Sequence, residues 1–435
     1  MKKNIKTKHH RKIQKINKTR QRRRSRSRFG GKVIDAGGFG CVFRPAIKCS
    51  GKKRLKNSIS KLLTADNAKQ EYEDITRYKS TLRKIRNHEN YFILENIELC
   101  RPAPLTQEDL RNYSKKCDIL VHEGINKKNI NDPSSLDKLL SINMAYGGKE
   151  FGDTLINSRH DYQKLIDLNN SMIRLLHGGI LPMNEKNIYH GDIKASNILI
   201  DDNLHARLID WGMSFTYENK DEERIPHSMT HRPFQFNLPF SVVMFNKMFD
   251  EMYADLLQKN PKPDYYIIRS FVVAFLRKWN EDNQDDHASY IQNIFKEMFS
   301  FDLDNTRDIN EKRKNNTSLN TFIDFEYTYY YITEYISEIL YKYTRDYGKF
   351  DKKHYFQNIF IKTLDIYGFL VSYFPWFEMY VSNTDTLNDI EVKLFHHLKY
   401  IFIRYLFETR TRPIDVNKLT QDLERINAFL VEGTK

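Results

Sequence analysis

Cysteine is scarce in this chain: only Cys41, Cys49, Cys100 and Cys117 occur in 435 residues, and no two stand in a C-x-x-C spacing. That scarcity excludes a structural zinc finger or ribbon and leads us to expect unpaired thiols in a reducing compartment. Long apolar runs are missing too. The most apolar stretch, Ile366 to Phe377, is shorter than the roughly 20 residues a bilayer span needs and is broken by Pro375. The first residues are basic without an apolar core, so no signal peptide and no transmembrane segment are expected. His227 and His231 are four apart, but no Glu or Cys completes a metal motif, and both are expected in a loop. Acid is absent from one region, since residues 1–32 hold 15 Lys or Arg and no Asp or Glu. This block accounts for the whole formal net charge of +14 and leaves the body close to neutral. Such a tail repels itself and lacks apolar periodicity, so disorder is expected. Arg20 to Arg28 make it a candidate for binding nucleic acid or an anionic surface, or for a nuclear address. Only Phe29 is aromatic there, so base stacking adds no sequence preference, and the alternative is a solvated, solubilising tail.

What is present begins with composition: 40% hydrophobic and 13% aromatic residues suffice for a packed core in two lobes or domains. The most informative segment is His190-Gly191-Asp192-Ile193-Lys194-Ala195-Ser196-Asn197, followed by Asp210-Trp211-Gly212. Between them, Ile198-Leu199-Ile200, Asp201-Asp202-Asn203 and Arg207-Leu208-Ile209 read as strand, turn and strand, a β-hairpin. A hairpin brings Asn197 and Asp210 side by side at its open end. There an amide oxygen and a carboxylate can share a hard cation such as Mg²⁺. Asp192 can face the same space as acceptor for a hydroxyl proton. Upstream, Val33-Ile34-Asp35-Ala36-Gly37-Gly38-Phe39-Gly40-Cys41-Val42-Phe43 sets three glycines between β-prone runs, which lets backbone N–H groups approach phosphate oxygens.

These motifs resemble the protein-kinase pattern H-R-D-x-x-x-x-N with D-F-G and a glycine-rich loop, with Gly191 in place of the arginine, Trp211 in place of the phenylalanine and Asp35 in place of the first glycine. The likeness covers about residues 33–245. It extends to the divergent serine/threonine-type kinases of large DNA viruses, which share G-G-F-G-C-V-F, a separate S-K-L lysine strand, H-G-D-I-K and I-D-W-G. The segment Arg232-Pro233-Phe234-Gln235-Phe236-Asn237-Leu238-Pro239-Phe240 resembles that group's replacement for the A-P-E segment.

The resemblance implies an α+β, bilobal kinase-like fold with a small β-rich lobe and a large, mainly helical lobe. It implies ATP and Mg²⁺ as cofactors and proteins as substrates. Asp192 and Lys194 are then catalytic, Asn197 and Asp210 bind metal, and Ile34, Gly37, Gly38, Phe39, Gly40 and Val42 line the nucleotide. The phosphate-gripping lysine is expected to be Lys61, because Lys48 in Ala46-Ile47-Lys48 follows Val42 too soon to complete a strand, a turn and a return strand. A helix capped at Asp66 or Asn67 supplies Glu71, with Glu73 as substitute, to pair with that lysine. Leu139 to Gly148 resembles the hinge, with Met144 as gatekeeper and Ala145 and Tyr146 offering backbone groups to adenine.

The expected domains are a disordered basic tail at 1–32, a small lobe at 33–145 with a polar, proline-containing insertion at 101–138, and a large lobe at 146–435 with extra helices. Apolar stripes mark helices at Leu165, Leu168, Met172 and Leu175, at Ile332, Tyr335, Ile336, Ile339 and Leu340, and at Leu419, Leu423, Ile426 and Leu430. Arg412-Pro413-Ile414 resembles the R-P element near the end of kinase large lobes, but without A-P-E its acidic partner is missing. With Gly191 in place of arginine, a phosphate on Thr216, Ser228 or Thr230 has no ready partner other than Arg224 or Arg232. The loop is therefore expected to be ordered by packing through Phe234, Phe236 and Phe240. Two other functions compete with a protein kinase: a small-molecule phosphotransferase of aminoglycoside or choline kinase type, and a catalytically inactive kinase-fold scaffold. Lys194, Gly212 and the glycine loop argue against the first, and the intact metal and lysine positions against the second. An intracellular setting, host cytoplasm or nucleus, or association with a virion, follows from the viral likeness.

Overall fold

Both β-prone runs around the glycine cluster are strands. β1 (Lys32–Gly37) and β2 (Gly40–Arg44) pair antiparallel, with Gly37 opposite Gly40. The structure is a computed structural model that describes residues 32–282 and 317–434, apart from 38–39, 56, 219–223, 231, 346–347 and 383–385, with a few residues between 290 and 298. The basic tail and His231 therefore lie outside the described residues. Two units are distinguished: residues up to Ala68 with Glu98–Asn143, and Lys69–Ile97 with Met144–Lys435.

In the first unit β2 pairs with β3 (Ser58–Thr64), and β4 (Glu98–Cys100) with β5 (Leu139–Ala145), in a five-stranded sheet of order β1-β2-β3-β5-β4. The β2–β3 approach explains Gly40, where a Cβ would stand 2.4 Å from the Leu62 carbonyl oxygen. Residues 101–138 are more than the polar insertion expected from sequence. Leu105, Leu110, Tyr113, Leu120, Ile125 and Ile130 are buried with Val33, Phe43 and Leu62 of the sheet and complete its core. The expectation of unpaired cysteines is likewise corrected. Cys41 is joined to Cys117 and Cys49 to Cys100, and no free cysteine is left. Each bridge ties the strand region to the 98–138 segment. At separations of 76 and 51 residues, each restricts the unfolded chain by about 4 kcal/mol in the chain-entropy description. Glu98 lies beside Cys49 and Cys100, but the two sulfurs bond to each other and the carboxylate pairs with Lys52. The insertion is also held by a bidentate ion pair, Arg54 to the buried Asp109, at 2.8 Å for both bonds. Burial would push the Asp109 carboxyl up, but Arg54 and Thr106 outweigh it and hold it below the usual carboxylate range.

The chain enters the second unit through α1 (Ala65–Arg77), which starts one residue before Asp66, so Asp66 and Asn67 lie in its first turn instead of capping it. Next come β6 (Lys149–Glu150) and α2 (Tyr162–Leu175), whose Leu165, Leu168, Met172 and Leu175 are fully buried. β7 (Ile188–Tyr189), β8 (Ile198–Ile200), β9 (Ala206–Leu208) and β10 (Phe215–Thr216) surround the motif region, with β7 pairing β10 and β6 pairing β8. Helices follow: α3 (Lys247–Lys259), α4 (Tyr265–Asp282), α5 (Thr317–Tyr343), α6 (Ile361–Val371), α7 (Phe374–Val381), α8 (Asp389–Phe402) and α9 (Val416–Gly433). The expected stripes of α5 and α9 are buried. The apolar stretch Ile366 to Phe377 is divided between α6 and α7, with Pro375 in the first turn of α7, where its missing N–H costs nothing. Among the described residues no helix is long and apolar enough to cross a membrane. The ion pair near the end of the unit is not made by Arg412, which is exposed. Arg410 pairs instead with Glu338 on α5. His227 opens a short helical turn, His227–Thr230.

Candidate active site

The expected hairpin forms, with Ile198 opposite Leu208 and Ile200 opposite Ala206. Its open end is closed by the Ile209 N–H donating to the Asn197 carbonyl at 3.0 Å, so Asn197 and Asp210 are brought to one place by the backbone. Asp210 adopts φ +69°, a left-handed conformation costly for a residue with a Cβ and held here by its surroundings. Trp211 provides that support. It is buried against His190, Phe92 and Tyr78, with ring centroids 5.1, 5.8 and 6.1 Å away.

Asp192 is buried and both of its carboxylate oxygens are hydrogen-bonded. Oδ2 accepts from Lys194 Nζ at 2.9 Å and Asn197 Nδ2 at 3.0 Å, and Oδ1 accepts from Asn237 Nδ2 at 2.8 Å. Burial would push the carboxyl up. The Lys194 ammonium, with hydrogen bonds from Lys194 and Asn237, outweighs burial and holds it below the usual range, as a proton acceptor at neutral pH must be. Asn197 Nδ2 also donates to the Asp192 carbonyl at 2.8 Å. With its nitrogen committed to Asp192, the amide has its oxygen left as a donor atom for a cation. Together with the exposed Asp210 carboxylate this is a hard-oxygen donor set that suits Mg²⁺.

The backbone beneath these groups is anchored from a distance. Asp365, buried in α6, accepts the His190 N–H at 2.9 Å on Oδ2 and the Gly191 N–H at 2.9 Å on Oδ1. Burial pushes this carboxyl up, against the pull of His190 and the two donors. One turn on, a Cβ at Gly368 would lie 2.6 Å from the Ile193 carbonyl oxygen, so glycine allows α6 to press against the loop. Gly191 has φ +68°, and a Cβ there would meet the Met213 carbonyl oxygen at 2.8 Å. This backbone has no room for the arginine of H-R-D. A guanidinium arrives instead from Arg232, which is buried and donates to the Gly191 carbonyl. Asp365 and Asn237 were not legible as site residues, and Arg232 was legible only as a candidate phosphate partner, because the groups they bond lie 41 to 175 residues away.

On α1 the acid nearest the Asp210 turn is Asp74. It is buried, its Oδ2 stands 4.0 Å from where a Gly212 Cβ would be, and burial pushes its carboxyl up, with Asp210 adding to the rise. Glu71 is half-buried and Glu73 exposed on the same helix. Met144 and Tyr146 are half-buried around the end of β5. In the first unit, Ile34 lies in β1, Gly37 and Gly40 end the two strands, and Gly38 and Phe39 fall outside the described residues. Val42 pairs with Lys61, at the centre of the sheet. The Lys48 side chain is exposed and its carbonyl accepts from the Ala103 N–H, while the two residues before it are tied to β3, with the Ala46 N–H donating to the Ser58 carbonyl and the Ile47 N–H to the Ser60 hydroxyl, both at 2.7 Å.

A β-sheet amino-terminal region and a helical carboxy-terminal region carrying this loop and turn define a mixed α+β, bilobal phosphotransferase fold of the kinase class. Residues 30–247, half of the chain, match the family model of protein tyrosine and serine/threonine kinases, and the protein belongs to that family. No curated protein matches the chain.

Proposed function

We propose that the protein is a serine/threonine-type kinase that moves the γ-phosphoryl of Mg-ATP to hydroxyls of protein substrates. The observation that carries this reading is the pairing of Asp192 with Lys194 at 2.9 Å inside a loop anchored by Asp365. The Asp192 carboxylate orients the acceptor hydroxyl and takes its proton as the new oxygen–phosphorus bond forms and the bond to the ADP oxygen breaks. Lys194 then leans toward the transferring phosphoryl and offsets its charge. Lys61 grips the α- and β-phosphates and Glu71 holds Lys61. Ile34, Gly37 to Gly40 and Val42 cover the nucleotide, and Met144 and Tyr146 meet the base. Mg²⁺, when bound by the Asn197 amide oxygen and the Asp210 carboxylate, supplies neutralisation of phosphate charge. The H-G-D-I-K and I-D-W-G likeness to kinases of large DNA viruses supports serine/threonine specificity and a viral origin. Residues 1–32 support an anionic partner such as nucleic acid or an acidic membrane. The paired cysteines weigh against a reducing compartment.

The test is a peptide-array phosphorylation assay with amino alcohols and aminoglycosides as competing acceptors, run on wild type, Asp192→Asn and Asp210→Ala. Peptide hydroxyls should be labelled by wild type alone. ATP binding without metal should survive both substitutions. Activity within tenfold of wild type in either variant, or preferential labelling of the small acceptors, rejects the reading.

A further inference from the structure

The segment that stands where A-P-E is expected has a job of its own in this structure. Three consecutive residues of the catalytic loop are each held by a side chain from residues 232–237. The Gly191 carbonyl accepts from Arg232, the Asp192 Oδ1 accepts from Asn237 Nδ2 at 2.8 Å, and the Ile193 carbonyl accepts from the same Nδ2 at 3.2 Å. Both side chains are almost completely enclosed, with Arg232 4% and Asn237 1% exposed. Each also has a buried polar atom without a partner, Nε of Arg232 and Oδ1 of Asn237. Burying such atoms is unfavourable. A segment selected for packing alone would be better served by apolar side chains. What the two residues offer in return is donors directed at the loop.

The geometry of Asp192 shows why those donors matter. Its Oδ2 is shared by Lys194 and Asn197, groups that the reaction itself draws on. Asn237 is the remaining side-chain donor to this carboxylate among the described residues, and it holds the other oxygen. We propose that Asn237 is a positioning residue that fixes the rotation of the Asp192 carboxylate toward the acceptor hydroxyl, and that Arg232 fixes the Gly191 peptide on which that carboxylate stands. The inference rests on the reading of Asp192 as the proton acceptor. The Arg232 guanidinium is committed inward, to the Gly191 carbonyl. The substrate-side segment and the catalytic loop thus form one hydrogen-bonded piece without a phosphate between them.

The test separates the donor from the shape around it. Asn237→Thr keeps a hydroxyl donor, whereas Asn237→Val has nearly the same shape and none. Steady-state phosphorylation of a peptide substrate should give Asn237→Thr a kcat within about fivefold of wild type and Asn237→Val a loss of about 100-fold, in the range expected for disturbing a general base. KM for ATP and for the peptide should stay within twofold in both, and melting temperatures should agree between the two. If Asn237→Val does not fold, Asn237→Ser and Asn237→Ala make the same comparison with smaller side chains. Equal kcat values for donor and non-donor variants, in the presence of an active wild type, overturn the positioning role alone. A wild type that transfers no phosphoryl group to any peptide overturns the underlying reading as well.

Discussion

Lys61 and Lys48 are chemically identical residues in different backbone contexts. Lys61 is in a central strand, paired with Val42 of β2, while Lys48 is an exposed residue between the buried Ile47 and Cys49, with its carbonyl bonded to Ala103. Lys61→Met should lower kcat of peptide phosphorylation by at least 100-fold, the scale expected when a phosphate-clamping charge is removed, and Lys48→Met should change it less than twofold. Equal losses would mean that neither strand placement nor the glycine turn selects the phosphate ligand. The strand placement of Lys61 was open to sequence reasoning, because strand length and rise per residue decide it. The same holds for Asn197 and Asp210, which a short hairpin must bring together. Asp365 offers no such handle. It is an ordinary acid before an apolar run, and only the folded chain shows its two oxygens under the His190 and Gly191 amides. Asn237 and Arg232 sit in a recognisable segment, yet their targets are carbonyls and a carboxylate that no local pattern points to.

At the scale of elements, residues 232–240 are held by rings and donors. Phe234 stacks on Phe240 with centroids 5.7 Å apart, and Phe240 stacks on Phe407 at 5.6 Å. Arg232 is buried under Gly191, and Arg224 is exposed. A phosphate on Thr216 or Thr230 would therefore find no prearranged guanidinium in Arg232. Treatment of active protein with a phosphatase, or replacement of Thr216, Ser228 and Thr230 by alanine, should leave the peptide phosphorylation rate within twofold. A large fall that rephosphorylation reverses would assign Arg224 the role of anchor. The elements of local origin, namely the hairpin, α2 and the stripes of α5 and α9, follow from periodicity and turn chemistry. Residues 101–138 do not, because Leu110, Tyr113, Ile125 and Ile130 are scattered along a mainly polar stretch and acquire a common face only when wrapped on the sheet. The cysteine pairs escaped for a related reason: their partners come from separate segments, at 76 and 51 residues, and C-x-x-C spacing is no guide to them.

At the scale of the whole molecule, the helices α3 to α5 occupy the stretch of chain between the catalytic loop and the acid that anchors it. The loop and Asp365 are 174 residues apart, counted from Gly191. Asp365→Asn places an amide nitrogen against one of two backbone N–H donors and leaves that donor buried and unpaired, at a cost of about 1–3 kcal/mol. Thermal unfolding followed by circular dichroism should show a melting temperature lower by several degrees, with kcat reduced alongside. A variant that matches wild type in both would mean that the loop keeps its form without this carboxylate. The same long separation governs the birth of the enzyme on the ribosome. At synthesis rates of about 5–20 residues per second, the amides of His190 and Gly191 emerge roughly 10–35 s before their acceptor exists. For most of that interval the nascent polypeptide holds the loop and the Asp210 turn without the carboxylate that receives the His190 and Gly191 N–H groups, so the loop gains this anchor only after α6 has been made.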